Sequence, residues 1–387
     1  MKNIDELRGE IDVIDDRMAN LFADRMVLAA EIAKAKQESG TVVLHRAREE
    51  AILRRLSGQV EKKWVPALRQ LYETMFRLSR AHQEIMLSRE PSPLRRSIED
   101  GAARAGEHFP TTALVACQGI EEAYSHIAAR QLFQTPQTLF LRTFEAVFQA
   151  VEQRLCTYGV LPIENSTYGS VTQVYDLLKR HNCRIVRGVR LQIDHCLLSP
   201  AKSVKDIREI FSHEQALGQC SAFLDQLPAN VAITACENTA VAARMAAQSG
   251  REDVAAISSE SCAKRYNLKI LKKNLQNEAR NETRFICIAP QLEIYPNANK
   301  CAVLLTLRHE PGTLAALLQL PAALSVNLTK LETRPDPGKD FAFLFCLELE
   351  SNAATPESID FLEQMEQLSE SFALLGSYRE LGVGEAG

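Results

Sequence analysis

At the start of the chain the apolar positions Leu7, Ile11, Ile14, Met18, Leu21, Leu28 and Ile32 recur at alternating steps of three and four. That spacing lays one apolar seam along a single long helix of coiled-coil type. Asn3 followed by Glu6 makes a capping box, and the helix is expected to run to about Gln37, ahead of Ser39-Gly40. About 33 residues at 1.5 Å each give a rod of ~50 Å. A compact domain of this size has a radius of gyration near ~13 Å, so the rod overhangs it. A second copy of the chain is therefore expected to cover much of the seam. A second helix is expected from about Arg46 to Leu56, and a third opens at Val65-Pro66, where proline suits the first turn. Its stripe of Leu68, Leu71, Met75 and Leu78 leads to Ser79 and Gln83, one turn apart on one face.

The pattern changes beyond Pro91 and Pro93, which close the third helix. Residues 90–110 read as a connector with a short helix around Leu94–Ile98. From Thr112 short apolar runs alternate with amphipathic ones. Strands are expected at Ala113–Cys117, Tyr158–Leu161, Cys196–Leu198, Glu209–Phe211, Val231–Ala235 and Val254–Ile257, with helices at Thr143–Gln153, Thr172–Arg180 and Asn238–Gln248. The alternation argues for parallel α/β architecture. Phe285-Ile286-Cys287-Ile288-Ala289, closed by Pro290, reads as a buried strand. Residues 297–387 then give the order βαββαβ: strands at Cys301–Arg308, Asn327–Glu332, Phe341–Glu350 and near Phe372–Tyr378, helices at Gly312–Leu320 and Pro356–Leu368. That order is ferredoxin-like.

Composition narrows the class. The chain has 387 residues, 46% hydrophobic and 24% charged, which suits several globular domains. A formal net charge of −4 gives no reason to expect nucleic acid or membrane as a partner. Ten cysteines form no Cys-x-x-Cys pair, and many lie inside apolar runs, as Cys287 and Cys346 do, so they read as small buried hydrophobes. The polar, acidic start Met1-Lys2-Asn3-Ile4-Asp5-Glu6 is unlike a signal peptide, and no apolar run is long enough to span a bilayer. A reduced, cytoplasmic protein is expected.

Two groups of polar residues stand against these apolar patterns. Arg25 takes a seam position where leucine is expected, and Lys36 lies eleven residues on, on the same face. With Arg48-Glu49, Ser79 and Gln83 they bring charge and hydrogen-bonding groups into a bundle interior, where a dianion is a natural partner. The second group begins with Thr283 and Arg284 at the head of the buried strand, at the mouth of a sheet. A hydroxyl beside a guanidinium suits an anionic substrate that must gain or lose a proton. Ser212-His213 is not accompanied by a Gly-x-Ser-x-Gly elbow, so a hydrolase is not expected.

Thr283-Arg284-Phe285, together with Leu161-Pro162-Ile163-Glu164-Asn165-Ser166, Ser212-His213-Glu214-Gln215-Ala216-Leu217-Gly218 and Asn238-Thr239, resembles the signature of the prephenate dehydratases. With its flanks the likeness covers nearly the whole chain and extends to the bifunctional chorismate mutase–prephenate dehydratase family with a C-terminal ACT domain. The resemblance implies a helical mutase domain at 1–89, a linker at 90–110, a two-lobed α/β dehydratase domain at 111–290 and a ferredoxin-like ACT domain at 297–387. In the mutase, Arg8, Arg25, Arg48 and Ser79 would hold chorismate's carboxylates, Arg8 reaching into the partner's site. Lys36 and Gln83 would donate to the ether oxygen, and Glu49 would accept from the ring hydroxyl. A [3,3] rearrangement needs a compressed conformer and donors where charge grows on the breaking C–O bond. No metal or organic cofactor is implied.

In the dehydratase, Thr283 would donate to the departing hydroxyl of prephenate and Arg284 would hold a carboxylate. Glu164 is taken as the proton source behind Thr283, with Tyr124, Ser125, Asn165, Ser166, Gln215 and Thr239 around the substrate. The ACT domain would bind phenylalanine through Gly312-Thr313-Leu314 and Glu332-Thr333-Arg334-Pro335. Three departures from the family pattern stand out. His45 replaces an aspartate of the mutase site. Glu122 replaces the second glycine of the loop Gly119-Ile120-Glu121-Glu122-Ala123-Tyr124-Ser125 and Ala123 a hydroxyl residue, and Thr313 replaces an alanine. If the loop requires a positive φ at Glu122, the side chain limits close approach. The expected function is conversion of chorismate to phenylpyruvate under phenylalanine feedback. The alternatives are a dehydratase with a weak mutase and a silent phenylalanine-binding protein.

Overall fold

The structure is a computed structural model that describes residues 2–39, 46–87, 91–278, 280–310, 312–323, 326–335 and 343–385. It divides into a unit of Met1–Arg96 and a unit of Ser97–Gly387. In the first, α1 (Ile4–Ser39), α2 (Arg46–Ser57) and α3 (Val65–Leu87) form the bundle, α3 packing on both others. The capping box is formed: Asn3 Oδ1 accepts from Glu6 N–H at 2.8 Å, and Glu6 Oε2 from Asn3 N–H at 2.9 Å. Leu7, Ile11, Ile14, Met18, Leu21, Leu28 and Ile32 all remain exposed on α1, as the seam argument requires of one chain taken alone.

The next helix, α4 (Pro93–Ala105), is longer than the short one expected in the connector. It is also docked. Ile98 is fully buried, Ile294 N–H donates to Gly101 O, and a Cβ on Gly101 would come within 2.9 Å of Leu292 Cγ. The absence of a side chain at residue 101 is what lets this helix lie on the Leu292 segment.

The α/β region follows as β1 (Thr112–Gln118), α5 (Tyr124–Leu132), β2 (Thr135–Leu141), α6 (Phe144–Glu152), β3 (Tyr158–Asn165), β4 (Gly169–Ser170), α7 (Thr172–Arg180) and β5 (Arg184–Gln192). A second lobe is built from β6 (Cys196–Ser199), β7 (Glu209–His213), α8 (Glu214–Gln219), α9 (Ser221–Leu224), β8 (Ala232–Cys236), α10 (Thr239–Gln248), β9 (Val254–Ser258), α11 (Glu260–Tyr266) and β10 (Lys269–Lys272). The chain then returns to the first lobe as β11 (Glu282–Ala289). Its C-terminal module is β12 (Lys300–Leu307), α12 (Thr313–Ala323), β13 (Leu328–Pro335), β14 (Phe343–Leu349), α13 (Pro356–Leu368) and β15 (Ser369–Leu381).

Both sheets are mixed, which corrects the expectation of parallel architecture. In the larger, ordered β13-β14-β12-β15-β5-β11-β3-β1-β2, the returning strand β11 runs antiparallel to β3 and to β5. In the smaller, ordered β10-β6-β9-β7-β8, the edge pairs β10–β6 and β6–β9 are antiparallel. β15 pairs in parallel with β5, so the C-terminal module extends the sheet of the first lobe. Gly376 permits this join, because a Cβ there would lie 2.0 Å from Ile185 O.

β11 lies at the centre, and its alternation sets the two faces. Phe285, Cys287 and Ala289 pack in the core that holds Ala128, Leu132 and Phe133 around α5. Ile286 and Ile288 pack on the other side, with Val147, Phe148, Val174 and Leu177 of α6 and α7 and with Leu304, Cys346 and Tyr378 of the C-terminal module. All ten cysteines are free, and all but Cys236 are buried. Among the described residues no helix is long and apolar enough to cross a membrane.

Candidate active sites

Thr283 and Arg284 are neighbours on a strand, so they project from opposite faces of it. Opposite them, β3 contains a bulge: Arg284 pairs with Glu164 and Phe285 with Pro162, leaving Ile163 as the extra residue. A bulge re-aims the side chains beyond it. Here it sends Glu164 to the face of Arg284 and Asn165 to the face of Thr283.

On the Thr283 face a short chain of amides is oriented by the backbone. Asn165 Oδ1 accepts from the N–H groups of Thr167 and Tyr168, both at 3.0 Å. Its Nδ2 must then point the other way, where it donates to Asn281 Oδ1 at 2.8 Å, Thr283 Oγ1 at 2.9 Å and Glu282 O at 3.2 Å. Thr283 Oγ1 is therefore an acceptor in this contact, and its own hydrogen is left to be donated elsewhere. The neighbouring loops come from both lobes. A Cβ on Gly218 would sit 3.1 Å from the Tyr168 hydroxyl, and one on Gly119 would sit 3.6 Å from Asn238 Nδ2. Gln215 stands exposed in the first turn of α8, and Thr239 opens α10, whose cap is Asn238. Tyr124 and Ser125 open α5, with the Tyr124 hydroxyl donating to Asp194 O at 3.0 Å.

The opposite face is an ion-pair network. Arg284 donates to Glu164 at 2.6 Å, to Glu348 at 2.8 Å and to Glu380 at 2.6 Å, so each guanidinium nitrogen has its own carboxylate. Arg190, directly across from Arg284 on β5, also donates to Glu380, which offsets the repulsion between the two cations. Lys330 donates to Glu164 at 2.9 Å and to Ser170 at 2.7 Å. Burial pushes the Glu164 carboxyl up, but the hydrogen bonds and charges of Lys330 and Arg284 outweigh it and hold Glu164 below the usual carboxylate range. The Arg284 guanidinium is raised, its burial outweighed by surrounding acidic groups. A cavity of about 220 Å³ on this side is lined by Glu164, Ser166, Arg190, Glu282, Arg284 and Lys300, among others.

This geometry bears on three of the expected roles. Arg284 is saturated by glutamates and turned away from Thr283, so it does not offer a carboxylate clamp beside it. Glu164 is ionised and on the Arg284 face, so it is not placed as a proton source behind Thr283. The Ser166 hydroxyl accepts from Glu282 N–H at 3.0 Å and fastens the head of β11. Glu122 does have φ of +67°, the left-handed conformation that the replaced glycine would favour. Its buried carboxylate is paired with Arg130 at 2.8 Å. Ser212 is fully buried and donates to Ile257 O at 2.8 Å, so it is no nucleophile for His213.

In the helical unit, Arg25 donates to Ser79 Oγ and lies over the Phe76 ring, 5.6 Å from its centroid. Gln83, one turn beyond Ser79, is buried with no partner for its Oε1 among the described residues. Glu49 pairs with Arg80, a cation that no local pattern marks, since it sits between Ser79 and Gln83 without an apolar stripe of its own. Arg48 is exposed, and Arg8 is exposed and pairs with Asp5 at 3.3 Å. The Lys36 side chain and all of His45 lie outside the described residues.

Comparison with known proteins gives a family match over each of the two regions. Residues 7–84 match the family described as chorismate mutase type II, and residues 115–292 match prephenate dehydratase. The bifunctional chorismate mutase/prephenate dehydratase of Escherichia coli (strain K12) is 30% identical over 381 residues, covering 96% of this chain and 95% of that protein. The chain belongs to the bifunctional chorismate mutase/prephenate dehydratase family. Arogenate dehydratase/prephenate dehydratase 1, chloroplastic, of Arabidopsis thaliana is 34% identical over 318 residues, 78% of this chain and 81% of that protein. Among solved structures, GqqA, a quorum quenching acylase, has TM-score 0.62 at 29% identity over 69% of this chain and 98% of its own. A prephenate dehydratase from Arthrobacter aurescens in complex with L-Phe shares the fold, with TM-score 0.62 at 24% identity over 69% of this chain and 89% of its own.

In this member of the chorismate mutase/prephenate dehydratase family the two segments expected to bind phenylalanine lie apart in their hydrogen bonding. Gly312, Thr313 and Leu314 form the start of α12, where Thr313 Oγ1 donates to Glu310 O. Glu332 and Arg334 instead alternate with Lys330 along β13 and face the first lobe. Glu332 accepts from Ser170, and Arg334 donates to Thr172 O at 3.1 Å and Asp176 at 3.3 Å.

Proposed function

We propose that the chain performs two consecutive steps on one carbon skeleton. The helical unit rearranges chorismate to prephenate, and the α/β region converts prephenate to phenylpyruvate, water and carbon dioxide. The observation that carries the second step is the Asn165–Thr283 hydrogen bond, because it leaves the Thr283 proton free to be donated. Expulsion of the ring hydroxyl places charge on the leaving oxygen, and a fixed O–H donor there lowers the barrier. Threonine is too weak an acid to ionise, so it acts as a donor or relay. Aromatisation of the ring supplies the driving force as carbon dioxide departs. Tyr124, Ser125, Gln215 and Thr239 surround this donor in the reading, and the N-terminal turns of α5 and α10 suit a dianionic substrate.

For the first step, Arg25 and Ser79 hold carboxylates, and Gln83 and Lys36 donate to the ether oxygen. Glu49, Arg48, Arg8 and His45 complete the expected set. The apolar seam of α1 supports a homodimer, in which Arg8 reaches the second copy's site. The proposed domains are 1–89, 111–290 and 297–387, with α4 lying in the linker sequence 90–110.

The C-terminal module is read as a ferredoxin-like ACT domain, supported by its βαββαβ order and its sheet order β13-β14-β12-β15. Phenylalanine is its proposed ligand, through Gly312, Thr313, Leu314, Glu332 and Arg334. The contacts of Lys330, Glu348 and Glu380 with Glu164 and Arg284 support a route to the dehydratase. These partners sit one residue away, on the same strands, from Asn165 and Thr283. Inhibition requires an effector that binds two states unequally. The test is to supply chorismate and identify the product with and without phenylalanine. Phenylpyruvate formation that phenylalanine suppresses more strongly than tyrosine supports the reading. Accumulation of prephenate alone removes the second activity, and indifference to phenylalanine removes the sensor.

A further inference from the structure

Asn281 lies two residues before Thr283, is 1% exposed, and ties three segments together. Its Oδ1 accepts from Asn165 Nδ2 at 2.8 Å, and its backbone carbonyl accepts from Ile193 N–H at 2.7 Å, where the chain leaves the first lobe for the second. Its own Nδ2 has no hydrogen-bond partner among the described residues. A buried amide donor left unpaired costs about 1–3 kcal/mol, so its retention calls for a reason. The amide orientations supply one. Two backbone N–H groups fix Asn165 Oδ1, so Asn165 Nδ2 requires acceptors, and Asn281 can offer one only by turning its oxygen inward. The orphaned Nδ2 of Asn281 follows from that orientation.

We propose that Asn281 is a positioning residue of the dehydratase: by taking one hydrogen of Asn165 Nδ2 it directs the other at Thr283 Oγ1, which aims the Thr283 proton at the leaving hydroxyl. The proposal rests on the reading of Thr283 as that donor. Without the Asn281 acceptor, Asn165 Nδ2 keeps only Thr283 Oγ1 and the longer 3.2 Å contact to Glu282 O, and the amide turns toward that carbonyl. The bond that polarises Thr283 is then misaligned. Asn281 acts on the reaction only through Asn165, so its effect must vanish when Asn165 can no longer donate.

The experiment is a set of steady-state measurements with prephenate on the full-length enzyme carrying Asn281→Leu, Asn281→Asp, Asn165→Ala, Asn281→Leu with Asn165→Ala, and Thr283→Val. Leucine keeps the volume and removes the acceptor, so kcat should fall about 30- to 100-fold, the scale of an ångström misplacement at a reacting group, with KM little changed. Aspartate keeps the acceptor, so its kcat should exceed that of Asn281→Leu by at least about tenfold, while its charge raises KM for the dianion. In the Asn165→Ala background, Asn281→Leu should lower kcat no further, which a merely structural residue would not reproduce. Full additivity of the two substitutions overturns the proposal, as does equal loss in Asn281→Leu and Asn281→Asp. Should Asn281→Leu fail to fold, the kcat and KM of Asn281→Asp decide, since loss of kcat at unchanged KM contradicts the role. If Thr283→Val leaves kcat unchanged, the donor reading falls and the positioning role with it. If Thr283→Val is impaired and the Asn281 variants are not, only the positioning role falls.

Discussion

Replacing Thr283 with valine removes one oxygen from the dehydratase and leaves a β-branched side chain that a strand accepts well. The kinetic and structural consequences separate cleanly. Asn165 Nδ2 loses its 2.9 Å acceptor but keeps Asn281 Oδ1 at 2.8 Å and Glu282 O at 3.2 Å, so no buried donor is stranded. The change in folding stability should therefore stay below about 1 kcal/mol, the net value of one ordinary hydrogen bond. Catalysis loses a donor aimed at a departing oxygen, which in comparable sites costs about 10²–10³ in kcat, or roughly 2.7–4 kcal/mol of barrier. The assay is phenylpyruvate formation from prephenate, with chorismate consumption by the same preparation as an internal standard and a melting curve for the fold. Thr283→Ser, which keeps the hydroxyl, should fall between wild type and Thr283→Val. A Thr283→Val enzyme within about threefold of wild-type kcat, less than 1 kcal/mol of barrier, would refute the assignment. So would equal loss of both activities in a folded protein.

Three further outcomes follow from named contacts. Gln83→Glu should shift mutase activity toward acidic pH, because a carboxyl donates to the ether oxygen only when protonated; a pH-independent ratio to wild type would remove Gln83 from the breaking bond. Glu164 is held below its unfolded pKa, so its stabilisation is complete above the ordinary value of about 4.3 and is lost as pH falls through the lower folded value. Glu164→Gln should consequently lower Tm near neutrality and flatten its decline below about pH 5, and a Tm–pH curve parallel to wild type would contradict the network. Gly376→Ala must displace β15 from β5, since the new Cβ would meet Ile185 O at 2.0 Å. A loss of at least about 1–3 kcal/mol is expected from calorimetry, and an unchanged Tm would mean that the join relaxes freely.

The sequence carries the fold wherever local pattern and environment agree. The long helix of α1, the stripe of α3 and the order of the C-terminal module are all legible from apolar spacing and caps. β5 is not legible because Arg184, Arg187 and Arg190 break its apolar run at every third residue, nor is β2, because Pro136 sits at its start. Those arginines have partners that only the folded chain supplies, such as Glu380 for Arg190. The same limit applies to the site. Thr283 and Asn165 could be picked out as types, but the bulge at Ile163 decides which face Glu164 and Asn165 occupy, and no local pattern announces it. Arg284 looks like a free substrate clamp in the sequence because its carboxylates Glu348 and Glu380 are distant along the chain. The charged alternation Lys330, Glu332, Arg334 was a usable signal: period-two charges on a strand imply a polar partner for that face. Asn281 offered a weaker one, lying two residues before Thr283 and just ahead of β11.

The central claim is that two independent sites act in series on one chain, and mixing two single variants tests it most directly. Gln83→Leu should leave the dehydratase intact and disable the mutase, while Thr283→Val should do the reverse. Each variant alone, given chorismate, should release little phenylpyruvate, whereas the mixture should restore it, with prephenate rising first and then falling. A mixture no more active than its components, or a Gln83→Leu enzyme that converts chorismate to phenylpyruvate unaided, would contradict the account.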